Sequence, residues 1–491
     1  MNVKYVLNFL GRLLTQFSVV FIIPLAFSIY YKENPTPFII AIMFSIFIGV
    51  FLALIRPEGE IKDTLLKSWL EYLLPERMRY KEAFAIVSLS WLSISLIGSI
   101  PYVLIGINPI DSFFESMSGF TTTGASVLIP EKLPKSILVW RSLTQWLGGM
   151  GIIVLFLAIF PSMARKGAPL FQAEYPGVTM VKLKPRLRDT ALSLYKVYIF
   201  LTLLEILTLW SLGVSLFDAI NHAFTTLSTG GYSTHSESIA YFNNPKVEYT
   251  VAIFAALGGS NFALLYFLFK GSGKIFSDEE FRAYISFILF FTAILTFINT
   301  ERFNLFDSLR YSVFQTISIM TTTGYTTIDF DLWSDSAKLI LLLLMFIGGS
   351  SGSTGGGIKV IRIYLLIQYA IQQILRAAEP RTVRAVRYGN TVIKKELLDD
   401  IAAFFILYIF VFVVSSLIIS ISGYDLLTSI SATAATLGNV GPGMGLAGAG
   451  EIYTHFYPHI KLLLCFNMWV GRLELFTVLS LFIPSFWKKS W

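Results

Sequence analysis

Four clusters of hydroxyl side chains and glycine are the parts of this sequence whose residue types could do chemistry. They are Thr121-Thr122-Thr123-Gly124, Ser228-Thr229-Gly230-Gly231, Thr321-Thr322-Thr323-Gly324 and Thr436-Leu437-Gly438-Asn439. None contains a carboxylate, thiol or imidazole, so none offers a general base or a transition-metal ligand. They offer neutral oxygen. Glycine lets the chain stand with its carbonyls turned to one side and leaves the space in front open, while threonine adds hydroxyls. A monovalent cation shedding its water needs such oxygens, whereas a divalent ion is more often met by a ring of Asp or Glu. Glycine capping a helix would explain one such cluster on its own; four copies in register call for a shared cation site.

The register is read from acidic residues upstream. Asp111 to Gly124, Asp218 to Gly231 and Asp425 to Gly438 are each 13 residues apart. "FESMSGFTTTG" (114–124) aligns with "FQTISIMTTTG" (314–324), with Asp307 one helical turn further upstream. The semi-apolar stretch between acid and glycine is too short to cross a bilayer. An Asp at its start is a good N-cap, so each stretch predicts a half-helix entering from outside and ending within the membrane. Four C-terminal helix ends brought together would carry partial negative charge to one point. The uneven threonine content predicts a filter only approximately fourfold symmetric, binding its ion less tightly than four identical strands would.

The elements that must position these clusters are long and apolar. The 491 residues are 55% hydrophobic and 14% charged, too little charge to cover a water-soluble surface. Apolar segments at about 8–30, 37–55, 82–105, 137–162, 190–213, 246–269, 282–300, 337–372, 398–422 and 456–483 are long enough to span. Alternate linkers hold 23 Lys and Arg against 6 in the others, which puts both termini in the cytoplasm. The net charge of +7 therefore reports topology, with membrane lipids as its partner and no nucleic acid. Lys4 and Arg12 before an apolar run ending Ala26-Phe27-Ser28 mimic a leader, but an uncleaved first helix fits the spans that follow. The expected fold is an all-α polytopic membrane protein: four pseudo-repeated helix–pore half-helix–helix units around one pore, plus two extra N-terminal transmembrane helices. Residues 1–80 form that hairpin and a cytoplasmic linker, and the repeats occupy 81–189, 190–280, 281–396 and 397–491.

Two further features lie within spans. Gly348-Gly349-Ser350-Ser351-Gly352-Ser353-Thr354-Gly355-Gly356-Gly357 interrupts the eighth segment. Ile358 parts Gly357 from Lys359 and Val360 follows, so it is no phosphate-binding loop. Six glycines and four hydroxyl residues cannot hold helix cheaply. The expectation is a mobile loop below the filter that obstructs the pore when closed; a packing notch is the plainer alternative. Arg472 lies near the middle of the last span, either salt-bridged to a carboxylate such as Glu474 or facing the ion path as a barrier. Arg141, Lys359, Arg362 and Lys461 lie nearer span ends and are expected to snorkel. His222, His235, His455 and His459 lack metal-ligand spacing, Cys465 is a lone apolar thiol, and Asp329, Asp331 and Asp335 read as a solvated vestibule.

Together with "LSTGGYSTHSESIAYF" (227–242), "GGSSGSTGGGIKVIR" (348–362), "GNVGPG" (438–443) and "GRLELFT" (471–477), the four clusters resemble the TrkH-type subunits of the Trk/Ktr/HKT superfamily of potassium transporters. The resemblance runs from about residue 80 to the C-terminus, and two extra N-terminal helices fit the TrkH type better than the shorter pore subunits. It implies potassium, because glycine stands at all four filter positions where serine at the first is associated with sodium. It also implies that the Gly-rich loop and Arg472 gate the pore. A homodimer docked on a cytosolic TrkA-type nucleotide-binding ring is implied too, so that a nucleotide would act only through that separate subunit. No covalent cofactor and no enzymatic activity are expected. A sodium-permeable or ion-coupled (Na+ or H+) symporter on the same scaffold is the alternative, and a multipass membrane transferase the remote one.

Overall fold

The computed structural model describes residues 1–55, 80–164, 187–379 and 385–488. Most of the basic linkers 56–81 and 163–189, together with Arg381, Arg384 and Lys489, therefore lie outside the described residues. Helix dominates what is described. Two-residue strands Arg387–Tyr388 and Thr391–Val392 form one antiparallel hairpin, with Arg387 opposite Val392.

Six helices are long and apolar enough to cross a membrane: Val3–Tyr30, Thr36–Ala53, Lys81–Leu104, Thr190–Ser211, Glu279–Asn299 and Lys395–Ile421. Their apolar outer faces need no water, and the chain is an integral multi-pass membrane protein. Residues 135–164 form a further helix of 30 residues. The first two spans pack through Gly11 and Gly49, where a β-carbon on either would strike the other helix's backbone.

The remaining spans are broken. The eighth segment is two helices, Asp335–Ile347 and Val360–Ala378, separated by the Gly-rich run as expected. Two other breaks are not visible in hydropathy. Pro245–Gly258 turns by 107° into Phe262–Phe269, and Pro458–Arg472 turns by 112° into Phe476–Phe482. At the first, Asn261 starts the new helix by accepting from the Ala263 and Leu264 amides. At the second, Glu474 and Leu475 take positive φ values of 59° and 42°.

Four shorter helices lie between the spans: Pro109–Phe120, Leu216–Leu227, Leu305–Met320 and Leu426–Leu437. Asn108, Ser215, Asn304 and Asp425 cap them, each side chain accepting from a first-turn amide. Asp111, Asp218 and Asp307 are therefore third-position residues of the first turn, whereas Asp425 is itself the cap.

Candidate functional site

After each short helix the backbone repeats one conformation. A left-handed residue follows the cap, and a left-handed glycine comes two residues later. The φ values are 51° and 85° at Thr122 and Gly124, and 52° and 75° at Thr229 and Gly231. At Thr322 and Gly324 they are 61° and 76°, and at Asn439 and Gly441 they are 55° and 101°. Glycine is required because a β-carbon on each would collide with a carbonyl oxygen of the next strand. Gly124 faces the Gly230 oxygen, Gly231 that of Thr323, Gly324 that of Val440, and Gly441 that of Thr123. Four strands thus close into one ring of backbone oxygen.

The ring corrects the fourth register. Gly441, not Gly438, stands where Gly124, Gly231 and Gly324 stand. The amides agree: Gly231 donates to Thr225 O (3.2 Å), Gly324 to Ser318 O (3.1 Å) and Gly441 to Ala435 O (3.4 Å). Thr436 and Leu437 end the helix, Gly438 caps it as Thr121 does, and only Asn439 of the expected four lies in the strand. The slip follows from Asp425 being a cap while the other aspartates sit three residues further in. Counted from the caps, the glycine follows 16 residues later in three copies and 20 later in the third, whose helix has 16 residues instead of 12.

The threonines divide by role. Thr121, Thr321 and Thr436 donate their hydroxyls to the carbonyls of Met117, Ile317 and Ala432, all at 2.7 Å, and so secure helix ends. Thr123 and Thr323 hydroxyls pair with those of Thr121 (2.7 Å) and Thr321 (2.8 Å). Backbone carbonyls therefore make up most of the oxygen that the ring leaves unpaired.

Residues that the sequence reading missed brace the strands from behind. Gln145 donates to Gly230 O (2.7 Å) and accepts from Tyr232 N (3.0 Å). Glu115 and Arg141 form a fully buried ion pair at 2.7 Å. Arg141 also donates to Ser126 Oγ (3.0 Å) and Ser233 O (3.2 Å), and its guanidinium lies over the Tyr232 ring. A carboxylate in a helix too short to span was the available signal for Glu115.

Arg141 does not snorkel, and neither do the other three cations assigned to span ends. Arg362, 1% exposed, pairs with Glu474 at 2.6 Å. Lys461 pairs with Asp111 at 2.6 Å, and Lys359 donates to Gly355 O. Each is buried because a partner is folded against it.

The Gly-rich run sits against the ring on its helix-end side. Gly356 N donates to Thr322 Oγ1 (2.7 Å), while the Thr354 hydroxyl is 3.0 Å from both Leu227 O and Gly258 O. Ser350 N bonds Gly259 O (2.8 Å) and Phe262 N bonds Gly352 O (3.1 Å), so the run fills the 107° break. Gly348 and Gly349 enter it, Ser351 and Ser353 line its turn, and Gly357 leaves it at φ 74°. Arg472 donates to Thr354 O (2.7 Å) and Gly148 O (3.3 Å). Among the described residues it has no carboxylate partner, since Glu474 is taken by Arg362. Its Nε is buried without a hydrogen bond.

Two of the histidines serve the turn after the second strand: His222 bridges Asp218 O (2.8 Å) and Ser233 Oγ (3.0 Å), and His235 stacks on Tyr241. His455 and His459 lie elsewhere, beside Glu451 and Ser422. Among the described residues no group of His, Cys, Asp or Glu could hold a metal. Asp331 is less solvated than expected, accepting from Gly445 N at 2.9 Å and so joining the turns that follow strands three and four. Burial, with Asp329 nearby, pushes its carboxyl up to about 6. The folded protein then holds that proton more tightly than the unfolded chain. The contribution favours folding below the ordinary aspartate value and is lost as pH rises through about 6. Asp331→Asn is expected to raise thermal stability near neutral pH by about 1 kcal/mol, after discounting for solvent screening at a half-exposed group. The gain should vanish at about pH 4, and thermal melts in detergent at the two pH values check it.

The profile of the TrkH family, described as a cation transport protein, matches residues 62–489. The Trk system potassium uptake protein TrkH of Escherichia coli (strain K12) is 36% identical over 503 residues, covering 100% of both chains. TrkG of the same strain is 33% identical over 497 residues, covering 99% of each. The crystal structure of the potassium transporter TrkH from Vibrio parahaemolyticus superposes with a TM-score of 0.87 at 33% identity. That superposition covers 99% of this chain and 100% of the other.

Proposed function

The chain belongs to the TrkH family of cation transport proteins, and from that premise we propose that it conducts potassium across the cell membrane through the ring at 121–124, 228–231, 321–324 and 438–441. The single observation that carries this reading is the closed ring of neutral carbonyl oxygen at four helix C-termini. Carbonyls replace the water shell of an entering ion, and the helix ends favour positive charge beside them. Each half-helix with its flanking spans acts as one quarter of the pore.

The loop 348–357 and Arg472 form the gate in this proposal. Loop and guanidinium meet at Thr354 O, and loop and filter strand meet at Thr322, so the pathway is obstructed just past the ring. Opening requires that the loop leave the break at 258–262. The relatives are named for a Trk system of potassium uptake, which supports a separate regulatory subunit of TrkA type, and with it nucleotide control, as partner. A homodimer with both termini cytoplasmic completes the proposal.

The test is flux in proteoliposomes of purified protein, with rubidium as tracer. Rubidium uptake that potassium competes away and sodium does not is the expected result. Absence of uptake with and without a regulatory ring, or uptake that requires a sodium or proton gradient, would overturn selective conduction.

A further inference from the structure

The Gly-rich loop is gripped from outside the pore by one carboxylate that no expectation singled out. Glu280, in the first turn of Glu279–Asn299, is 3% exposed. One of its oxygens accepts from Ser351 N at 2.6 Å and the other from the Ser351 hydroxyl at 2.7 Å. A buried carboxylate with two short donors makes charge-assisted bonds at Ser351, the counterpart of those that Arg472 and Lys359 make to Thr354 O and Gly355 O at the other end of the loop.

The same turn is tied to the β-hairpin. Asp278 caps the helix through Phe281 N (2.9 Å) and accepts from the Tyr388 hydroxyl at 2.8 Å. That hydroxyl also lies 3.4 Å from Glu280 N. Tyr388 is a strand residue of the hairpin at 387–392, 5% exposed. A shift of the hairpin therefore moves the turn that holds Ser351.

We propose that Glu280 is a positioning residue that holds the Gly-rich loop in its obstructing place, and that Tyr388 couples the hairpin to that hold. The inference rests on the reading of 348–357 as the gate. Withdrawing the hairpin, as a protein docked on it would do, disturbs the Asp278–Glu280 turn and frees Ser351. No covalent step is involved; two hydrogen bonds exchange protein for water.

The test measures rubidium flux and loop exposure together, in full-length protein reconstituted without a regulatory subunit. Exposure is read as the rate of thiol labelling at Ser353→Cys in a Cys465→Ala background. Glu280→Ala is expected to raise both by about tenfold, the scale of one lost charge-assisted bond. Glu280→Gln keeps the shape and should give a smaller rise. Tyr388→Phe removes only a hydroxyl and should raise flux less again. The Glu280→Gln, Tyr388→Phe double variant should fall short of the product of the two single effects. Deleting Ser350–Gly356 is the control for the gate itself. If the deletion raises flux while the Glu280 and Tyr388 variants change neither flux nor labelling, the inference is overturned and the gate reading stands. If the deletion leaves flux unchanged, the gate reading fails, and the labelling rate alone decides whether Glu280 positions the loop. Should Glu280→Ala not yield monodisperse protein, Glu280→Gln and Tyr388→Phe carry the same decision.

Discussion

Arg472→Ala is expected to raise basal potassium flux by roughly 30-fold. Its guanidinium is 3% exposed and donates to Thr354 O and Gly148 O, and no described carboxylate neutralises it. A cation following the proposed path would therefore meet a whole positive charge. At about 7 Å and an effective dielectric near 20, that repulsion is about 2 kcal/mol, which is the 30-fold. Arg472→Lys separates charge from hydrogen bonding: if repulsion dominates, flux stays low, and if the tie to Thr354 dominates, flux rises nearly as far as with alanine. Flux that falls in both variants, with loss of folded protein, would assign Arg472 a structural role instead.

The second large effect tests the fourth strand. Gly441→Ser is expected to change the potassium-to-sodium flux ratio by about tenfold or more, because strain of 1–3 kcal/mol falls on the ring itself. At φ 101° the new β-carbon would sit 2.6 Å from Thr123 O, a carbonyl of the neighbouring strand. Gly438→Ser meets Met345 O at 2.7 Å and Ala434 O at 2.8 Å, both in helices behind the ring. Its cost should appear as lower thermal stability with the ratio nearly kept. The opposite pattern, with the ratio lost at 438 and kept at 441, would restore the register counted from Asp425.

What was legible in the sequence depended on how locally each signal is encoded. "TTTG" at 121–124 and 321–324 announces itself because helix end, left-handed turn and glycine are all set by adjacent residues. The fourth strand was misplaced because an aspartate serves equally as cap and as third residue of a first turn. Both uses place negative charge at the helix N-terminus, and only the hydrogen bonds tell them apart. The 107° and 112° breaks stayed hidden because hydropathy averages over a kink that keeps its apolar residues. The Gly-rich loop was visible for the opposite reason, since its composition cannot hold helix. Arg362 and Lys461 read as snorkelling because their partners lie far off in the chain: Glu474 is 112 residues from Arg362 and Asp111 is 350 from Lys461. No window of sequence contains such a pair.

The ion pair between Lys461 and Asp111 spans 350 residues and joins the last span to the first short helix. It has a consequence for how the protein is made. A ribosome adding about 5–20 residues per second leaves roughly 20–70 s between the two partners. Throughout that interval Asp111 stands without its counter-charge, and the first strand waits for Val440 and Gly441 to complete the circle. Assembly intermediates are therefore open arcs whose polar inner edge faces lipid or the insertion machinery. A chain truncated before Val440 should be recognised by membrane quality control as an unclosed object, however well its earlier helices are inserted.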